Sequence, residues 1–202
     1  MFKSNKAVGI GFALIVSGFC TSHAASALET KPVQDLPNFH EVEPYFYRGG
    51  EPTKNGLEEL KKMGIKTIID LRNPGEMKFP EQEESQRLGI KYLHFPMDSK
   101  APSKQTVDEF THAVEEGKTA NPDKPTVFVH CAHGSDRTGC MVGIWRVTHD
   151  GWDYEKAHEE MRKYYFTPKF TNLSGAVQEY ADKQQKDAHN KLLDIQKPHL
   201  VK

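Results

Sequence analysis

The chain is poor in cysteine, with Cys20, Cys131 and Cys140 its only three in 202 residues. That excludes a scaffold held together by a framework of disulfides and leaves each thiol to be explained separately. It also lacks a charge bias. The formal net charge is -1, so nothing favours nucleic acid as a partner, and any anion site must be local. It has no repeats and no low-complexity run, which sets aside solenoids and disordered arrays. The one sustained apolar stretch, residues 7–19, is too short to span a membrane.

That stretch reads instead as the apolar core of a signal peptide. Lys3 and Lys6 give a positive start, and residues 22–24 and 25–27 are small-residue cleavage sites. A lipoprotein attachment at Cys20 is disfavoured by the bulky Phe19 before it. The expectation is a leader over 1–27 and a periplasmic or secreted mature chain with no integral membrane span after processing. Residues 28–41, with Pro32 and Pro37, read as an extended lead-in, 42–189 as one domain, and 190–202 as a loose polar tail. The oligomeric state is not legible.

Within the domain, strands alternate with helices. Strands are predicted over 42–47 (an edge strand interrupted by Pro44), 66–71, 90–95 and 126–130. A turn is predicted over 48–52. Helices are predicted from Asn55 as cap to Met63, over 81–88, from Thr106 with Glu109 as a capping box to Glu116, and over 138–149. Two more follow, from Asp153 to about Tyr164 and over 173–189. The expected fold class is therefore α/β: a single domain with a largely parallel central sheet flanked by helices on both faces. Ligands in such sheets bind at the carboxyl ends of the strands. Three such ends carry chemistry here: Cys131, the trio Asp70–Leu71–Arg72, and Asp98 after Pro96 and Met97.

The most informative run is Val127-Phe128-Val129-His130-Cys131-Ala132-His133-Gly134-Ser135-Asp136-Arg137-Thr138-Gly139. An apolar strand ends in a thiol, a short loop follows, and a guanidinium opens a helix. Free thiols are mostly protonated at neutral pH, so a nucleophilic Cys131 needs help to ionise. A helix start and a nest of inward loop amides supply it and hold phosphate oxygens, placing Ala132, His133, Gly134, Ser135, Asp136 and Thr138 around the substrate. Arg137 adds a planar fork matched to two oxygens. The Thr138 hydroxyl can stabilise the departing thiolate. Gly134 and Gly139 give the turn backbone freedom, and His130 orients the loop from behind. Cys140 is expected to pack on the following helix; a regulatory disulfide with Cys131 is the alternative.

This run resembles the signature of the cysteine-dependent protein tyrosine phosphatases: His-Cys, five residues, Arg, Ser or Thr, Gly. The stretch Tyr47-Arg48-Gly49-Gly50-Glu51-Pro52, with Leu57, Leu60 and the run Gly64 to Arg72, looks like the opening of compact bacterial dual-specificity-type members. The resemblance covers about 42–166. It implies a protein tyrosine phosphatase-like fold, no cofactor, and attack on phosphorus through a phosphocysteine. It also implies an Asp on a mobile loop as proton donor, a position Asp98 matches. Asp136 is the rival, because the Cys-to-Asp-Arg-Thr pattern resembles phosphoinositide phosphatases. Unless it serves as that acid, Asp136 is expected to pair with a cation, and Arg72 to brace the loop through it, the alternative for Arg72 being an ordinary strand-end cation. His133 is a candidate substrate-facing donor. His94 and His112 have no ligand-like spacing, so no metal is expected. Phosphotyrosine proteins are the first substrate choice, with small phosphorylated substrates such as phosphoinositides or inositol phosphates second. A rhodanese-like sulfurtransferase is disfavoured by the spacing to Arg137 and the Thr-Gly ending. A phosphate-binding pseudophosphatase is disfavoured by the presence of both Cys131 and Arg137.

Overall fold

Side-chain alternation along the strands sorts the core into two layers. In the computed structural model, which describes residues 35–196, the strands are β1 (His40–Glu43), β2 (Phe46–Gly49), β3 (Thr67–Asp70), β4 (Lys91–His94) and β5 (Val127–His130). Val127 and Val129 point to one core layer and Phe128 to the other; Ile69 and Ile68 divide in the same way. This is the period of two expected of a pleated strand covered on both sides.

The sheet order is β1-β2-β5-β3-β4. The pairs β2–β5, β5–β3 and β3–β4 are parallel, and only the β1–β2 hairpin is antiparallel. The sheet is thus largely parallel, and four carboxyl ends share one edge. One layer is covered by α1 (Lys54–Met63), which buries Leu57 and Leu60 against Ile65, Ile68 and Phe128. The other holds α3 (Lys104–Ala120), α4 (Asp136–His149), α5 (Tyr154–Lys163) and α6 (Thr171–Gln196). The short α2 (Glu81–Arg87) lies between β3 and β4 in sequence.

Helix α4 is buried continuously from Thr138 to Val147, lying between the sheet and the α5–α6 pair. A helix apolar all round belongs inside a core. Burying residues such as Ile144 stabilises by roughly 1.5–3 kcal/mol each. Gly143 lets α5 and α6 come close: a side chain there would meet Met161 and Val177 at 3.1 Å.

Several boundaries differ from the sequence reading. Pro44 does not interrupt one strand; it sits in the turn between β1 and β2, and Arg48 and Gly49 finish β2 instead of forming a turn. Thr53 caps α1, not Asn55, by accepting the Gly56 N–H. Ser103 caps α3, not Thr106, because its hydroxyl accepts the Thr106 N–H and the helix runs on to Ala120. Helix α4 begins at Asp136, before the predicted Thr138, which puts Arg137 in its first turn. Helix α6 extends beyond His189 to Gln196, and β1 begins at His40, inside the predicted lead-in. The predicted leader, 1–27, lies outside the described residues. Among the described residues no helix is long and apolar enough to cross a membrane.

Candidate active site

Strand β5 ends at His130 with every residue buried, and the chain then turns through 131–135 into α4. Cys131 lies at the floor of this turn, 2% exposed. The Gly134 N–H donates to its Sγ at 3.3 Å. Burial alone would push the thiol up. The Thr138 hydroxyl and amide, the Arg137 guanidinium and the His133 amide outweigh it and hold the thiol below its ordinary value. Cys140 has burial and no such help, and is pushed up to about 12. Both are free thiols, so the alternative disulfide is not formed here.

Arg137 is aimed by its neighbours. Its Nη1 and Nη2 donate to Glu76 Oε2 and Oε1 at 2.5 and 2.9 Å, and Nη1 also reaches the Met97 carbonyl at 3.2 Å. A guanidinium has five donors. Glu76 takes the end-on pair, which leaves Nε without an acceptor among these contacts, and the guanidinium also acts on Cys131. Glu76 sits on a single 3-10 turn, Pro74–Glu76, and the Asn73 N–H donates to it at 2.7 Å.

Beneath the loop lies a buried ion cluster. Arg72 is fully buried, with Nη1 at 2.6 Å from Glu51 and Nη2 at 2.7 Å from Asp70 and 2.5 Å from Glu81. His130 Nε2 is 3.0 Å from Glu81 Oε1. Burial lowers the affinity of His130 for a proton, but Glu81 and Asp70 reverse that and raise it. Arg72 therefore supports the loop from below through Glu81 and His130. This corrects the expectation that it braces Asp136: Arg72 meets three carboxylates of its own layer, and Asp136 Oδ1 instead accepts the Thr167 N–H at 2.7 Å. Asp70, Glu81 and His130 bring ligand atoms within 4.8 Å of one another. The Arg72 guanidinium already bonds two of the three, so the positive charge of that cluster comes from the chain itself.

Above the loop opens a cleft of about 670 Å³, lined among others by Glu76, Asp98, His133, Asp136, Arg137 and Phe170. The predicted convergence holds for the anion loop and for Asp98, whereas the trio Asp70, Leu71 and Arg72 is fully buried and does not line the cleft. Asp98 follows β4 and is exposed; its Oδ1 accepts the Lys100 N–H at 2.7 Å. His133 is exposed, Gly134 and Ser135 are buried, and Ala132 is half-buried. Gly139 lies under the first turn of α4, against Phe166. Of the nearby aromatics, Phe166 is core, whereas Phe170 is half-buried and reaches the cleft. His94 Nε2 bonds the Arg72 carbonyl at 2.7 Å, and His112 forms a surface pair with Glu116.

Sequence reasoning missed Glu76, Glu81 and Arg48. Arg48 is fully buried on β2, and its Nη2 donates to the Gly134 carbonyl at 2.8 Å. Burial pushes this guanidinium down to about 10. Arg48 lies in the stretch that resembles the family opening, but nothing local gives it, Glu76 or Glu81 a partner at the loop; the fold does that.

The family model described as "DSP-PTPase phosphatase fused to NAD+ Kinase" matches residues 29–179. The chain belongs to this family of dual-specificity-type cysteine phosphatases. It is 24% identical over 149 residues to the dual specificity protein phosphatase TpbA of Pseudomonas aeruginosa, covering 69% of this chain and 63% of that protein. It is 32% identical over 111 residues to the probable chloroplastic NAD kinase 2 of Oryza sativa subsp. japonica, covering 52% of this chain and 11% of that one. The chain thus spans less than two thirds of both relatives. Among solved structures, PTPMT1 in complex with PI(5)P shares the fold with a TM-score of 0.60 at 18% identity, over 74% of this chain and 98% of that chain.

Proposed function

We propose that the chain hydrolyses phosphate monoesters, phosphotyrosine foremost and phosphoserine or phosphothreonine with it, through a phosphocysteine. The Cys131 thiolate attacks phosphorus, forming a P–S bond as the P–O bond to the leaving group breaks. Loop amides and the free edge of Arg137 hold the non-bridging oxygens. Asp98 gives its proton to the leaving oxygen, then takes one from water as that water attacks phosphorus. The sulfur departs as a thiolate next to the Thr138 hydroxyl, so one carboxyl serves both half-reactions. The observation that carries this reading is the convergence of amides, Thr138 and Arg137 on one buried thiol at a helix start. Asp98 is favoured over Asp136 because it is exposed at the cleft, whereas a carboxylate oxygen of Asp136 is committed to the Thr167 amide.

A second reading, a phosphoinositide or inositol phosphate substrate, is favoured by the PTPMT1 likeness and by Lys169 and His133 at the cleft. Against it, Glu76, Asp98 and Asp136 line the same cleft and oppose further phosphates, while Phe170 suits an aryl group. The test is an activity panel of phosphotyrosine peptide, phosphoserine peptide, phosphoinositides and thiosulfate, with Cys131→Ser as control. Phosphotyrosine turnover that disappears in the variant is the expected result. Turnover retained by Cys131→Ser refutes the mechanism, and preference for phosphoinositides transfers the assignment to the second reading.

A further inference from the structure

We infer that the segment before and through β2, residues 37–51, is a rack that sets the peptide planes of the anion loop, with Asn38 and Arg48 as its positioning residues. The inference rests on the phosphatase reading above for its use, but not for its geometry.

Three consecutive loop carbonyls are fastened from outside. The Ala132 oxygen accepts the Glu51 N–H at 3.3 Å. The His133 oxygen accepts Asn38 Nδ2 at 3.3 Å. The Gly134 oxygen accepts both Asn38 Nδ2 at 3.1 Å and Arg48 Nη2 at 2.8 Å. A trans peptide is planar, with its N–H opposite its C=O. Fixing those three oxygens outward therefore turns the N–H groups of His133, Gly134 and Ser135 inward. The first two do reach the Cys131 sulfur. The third is left for a phosphate oxygen.

The rack is itself rigid. The Pro37 carbonyl accepts the Gly50 N–H at 2.7 Å. Asn38 Oδ1 accepts from His40 Nε2 at 3.0 Å, which fixes the amide so that Nδ2 faces the loop. The rings of His40 and Tyr164 lie 4.2 Å apart, and the Arg48 guanidinium sits 4.7 Å from the Tyr164 ring. Gly134 has φ +71, and a side chain there would collide with the Gly49 backbone at 2.3 Å, so loop and rack are in direct backbone contact. Arg48 is fully buried, and its Nε and Nη1 have no hydrogen-bond partner. It forms no ion pair among the described residues, and the carboxylate that acts on it most is Glu160. An unpaired buried cation is costly. Glu160 offsets it first and the Cys131 thiolate next; an anion bound by the loop would add to them.

The test uses the full chain. Asn38 has φ +49, a conformation glycine accepts readily, so Asn38→Gly deletes the amide without straining the backbone. Asn38→Asp puts an acceptor against two carbonyls. Arg48→Lys keeps a charged donor, and Arg48→Gln removes the charge. Three readouts are taken: kcat and KM for an aryl phosphate, inhibition by inorganic phosphate, and the pH midpoint of Cys131 alkylation followed by peptide mass spectrometry. Asn38→Gly should lower kcat roughly 10- to 100-fold, the usual size for losing an outer-shell support. It should weaken phosphate inhibition and raise the alkylation midpoint. Asn38→Asp should be worse, and Arg48→Lys should recover part of what Arg48→Gln loses. Variants that fold and leave both phosphate inhibition and the alkylation midpoint at their wild-type values overturn the inference. A shifted midpoint in a chain whose wild type hydrolyses no phosphate ester upholds the rack and rejects the phosphatase reading.

Discussion

Glu76→Gln is the sharpest perturbation of the site, because it keeps the shape of the side chain and removes only its charge. Glu76 occupies the end-on face of Arg137, and the Met97 carbonyl takes a further donor, while the guanidinium still acts on Cys131. Gln presents one acceptor and one donor, so one of the two parallel bonds becomes a clash between donors. Ordering an arginine side chain costs up to about 2 kcal/mol of rotamer freedom. Met97 and burial of the stem retain part of that order, so a loss of about 1 kcal/mol is expected, roughly fivefold in kcat/KM. The stability effect should be smaller, since the Glu76 side chain is 37% exposed and such pairs are screened. The pair also gives a pH signature. Arg137 holds the Glu76 carboxyl below its ordinary value, so its contribution is present above the unfolded pKa and is lost as pH falls through the lower folded one. The stability gap between wild type and variant should therefore close below about pH 4. Steady-state kinetics on an aryl phosphate and thermal melts from pH 3 to 7 (the range spanning an ordinary carboxyl) measure both. Unchanged kcat/KM, or tighter phosphate binding in the variant, would refute the view that Glu76 aims Arg137 rather than competing with the substrate for it.

Asp98→Asn should slow substrates with poor leaving groups far more than activated aryl phosphates and flatten the basic limb of the pH–rate profile, whereas Asp136→Asn should lack that leaving-group dependence; a series of aryl phosphates with graded leaving groups decides between them. Arg72→Met strips the cation from three buried carboxylates and should destabilise by about 3–5 kcal/mol, lowering the melting temperature by roughly 10 °C; a shift under about 2 °C, the smallest that corresponds to a measurable loss in a chain of this size, would show the cluster to be unimportant for folding. N-terminal sequencing of the native protein should find a start near Ala25 or Leu28 outside the cytoplasm, and an intact Met1 in the soluble cytoplasmic fraction would reject export.

The parts of the site that were legible in the sequence are those whose chemistry and spacing coincide. Cys131 and Arg137 sit on one short loop, so the distance between them is set by local backbone alone, and the strand and helix around them carry strong periodic signals. The parallel sheet was legible for a similar reason: Ile68–Ile69 and Val127–Val129 are short apolar runs with helices between them. What escaped was everything that reaches the loop across the sheet. The sequence pairs Arg72 with Asp136, a nearby charge on the loop itself. The fold gives it Glu51 and Glu81, from the segments after β2 and at the start of α2. Asn38 falls in the predicted extended lead-in because Pro37 and polar neighbours suppress any strand signal, yet the Pro37 carbonyl bonds Gly50 and the Asn38 amide meets the loop ninety-five residues on. A side chain that acts by holding a distant carbonyl leaves no mark in its own neighbourhood, since its partner is backbone and has no residue identity to match. For this reason the reacting groups could be named from sequence, while the groups that orient their peptide planes required the three-dimensional register.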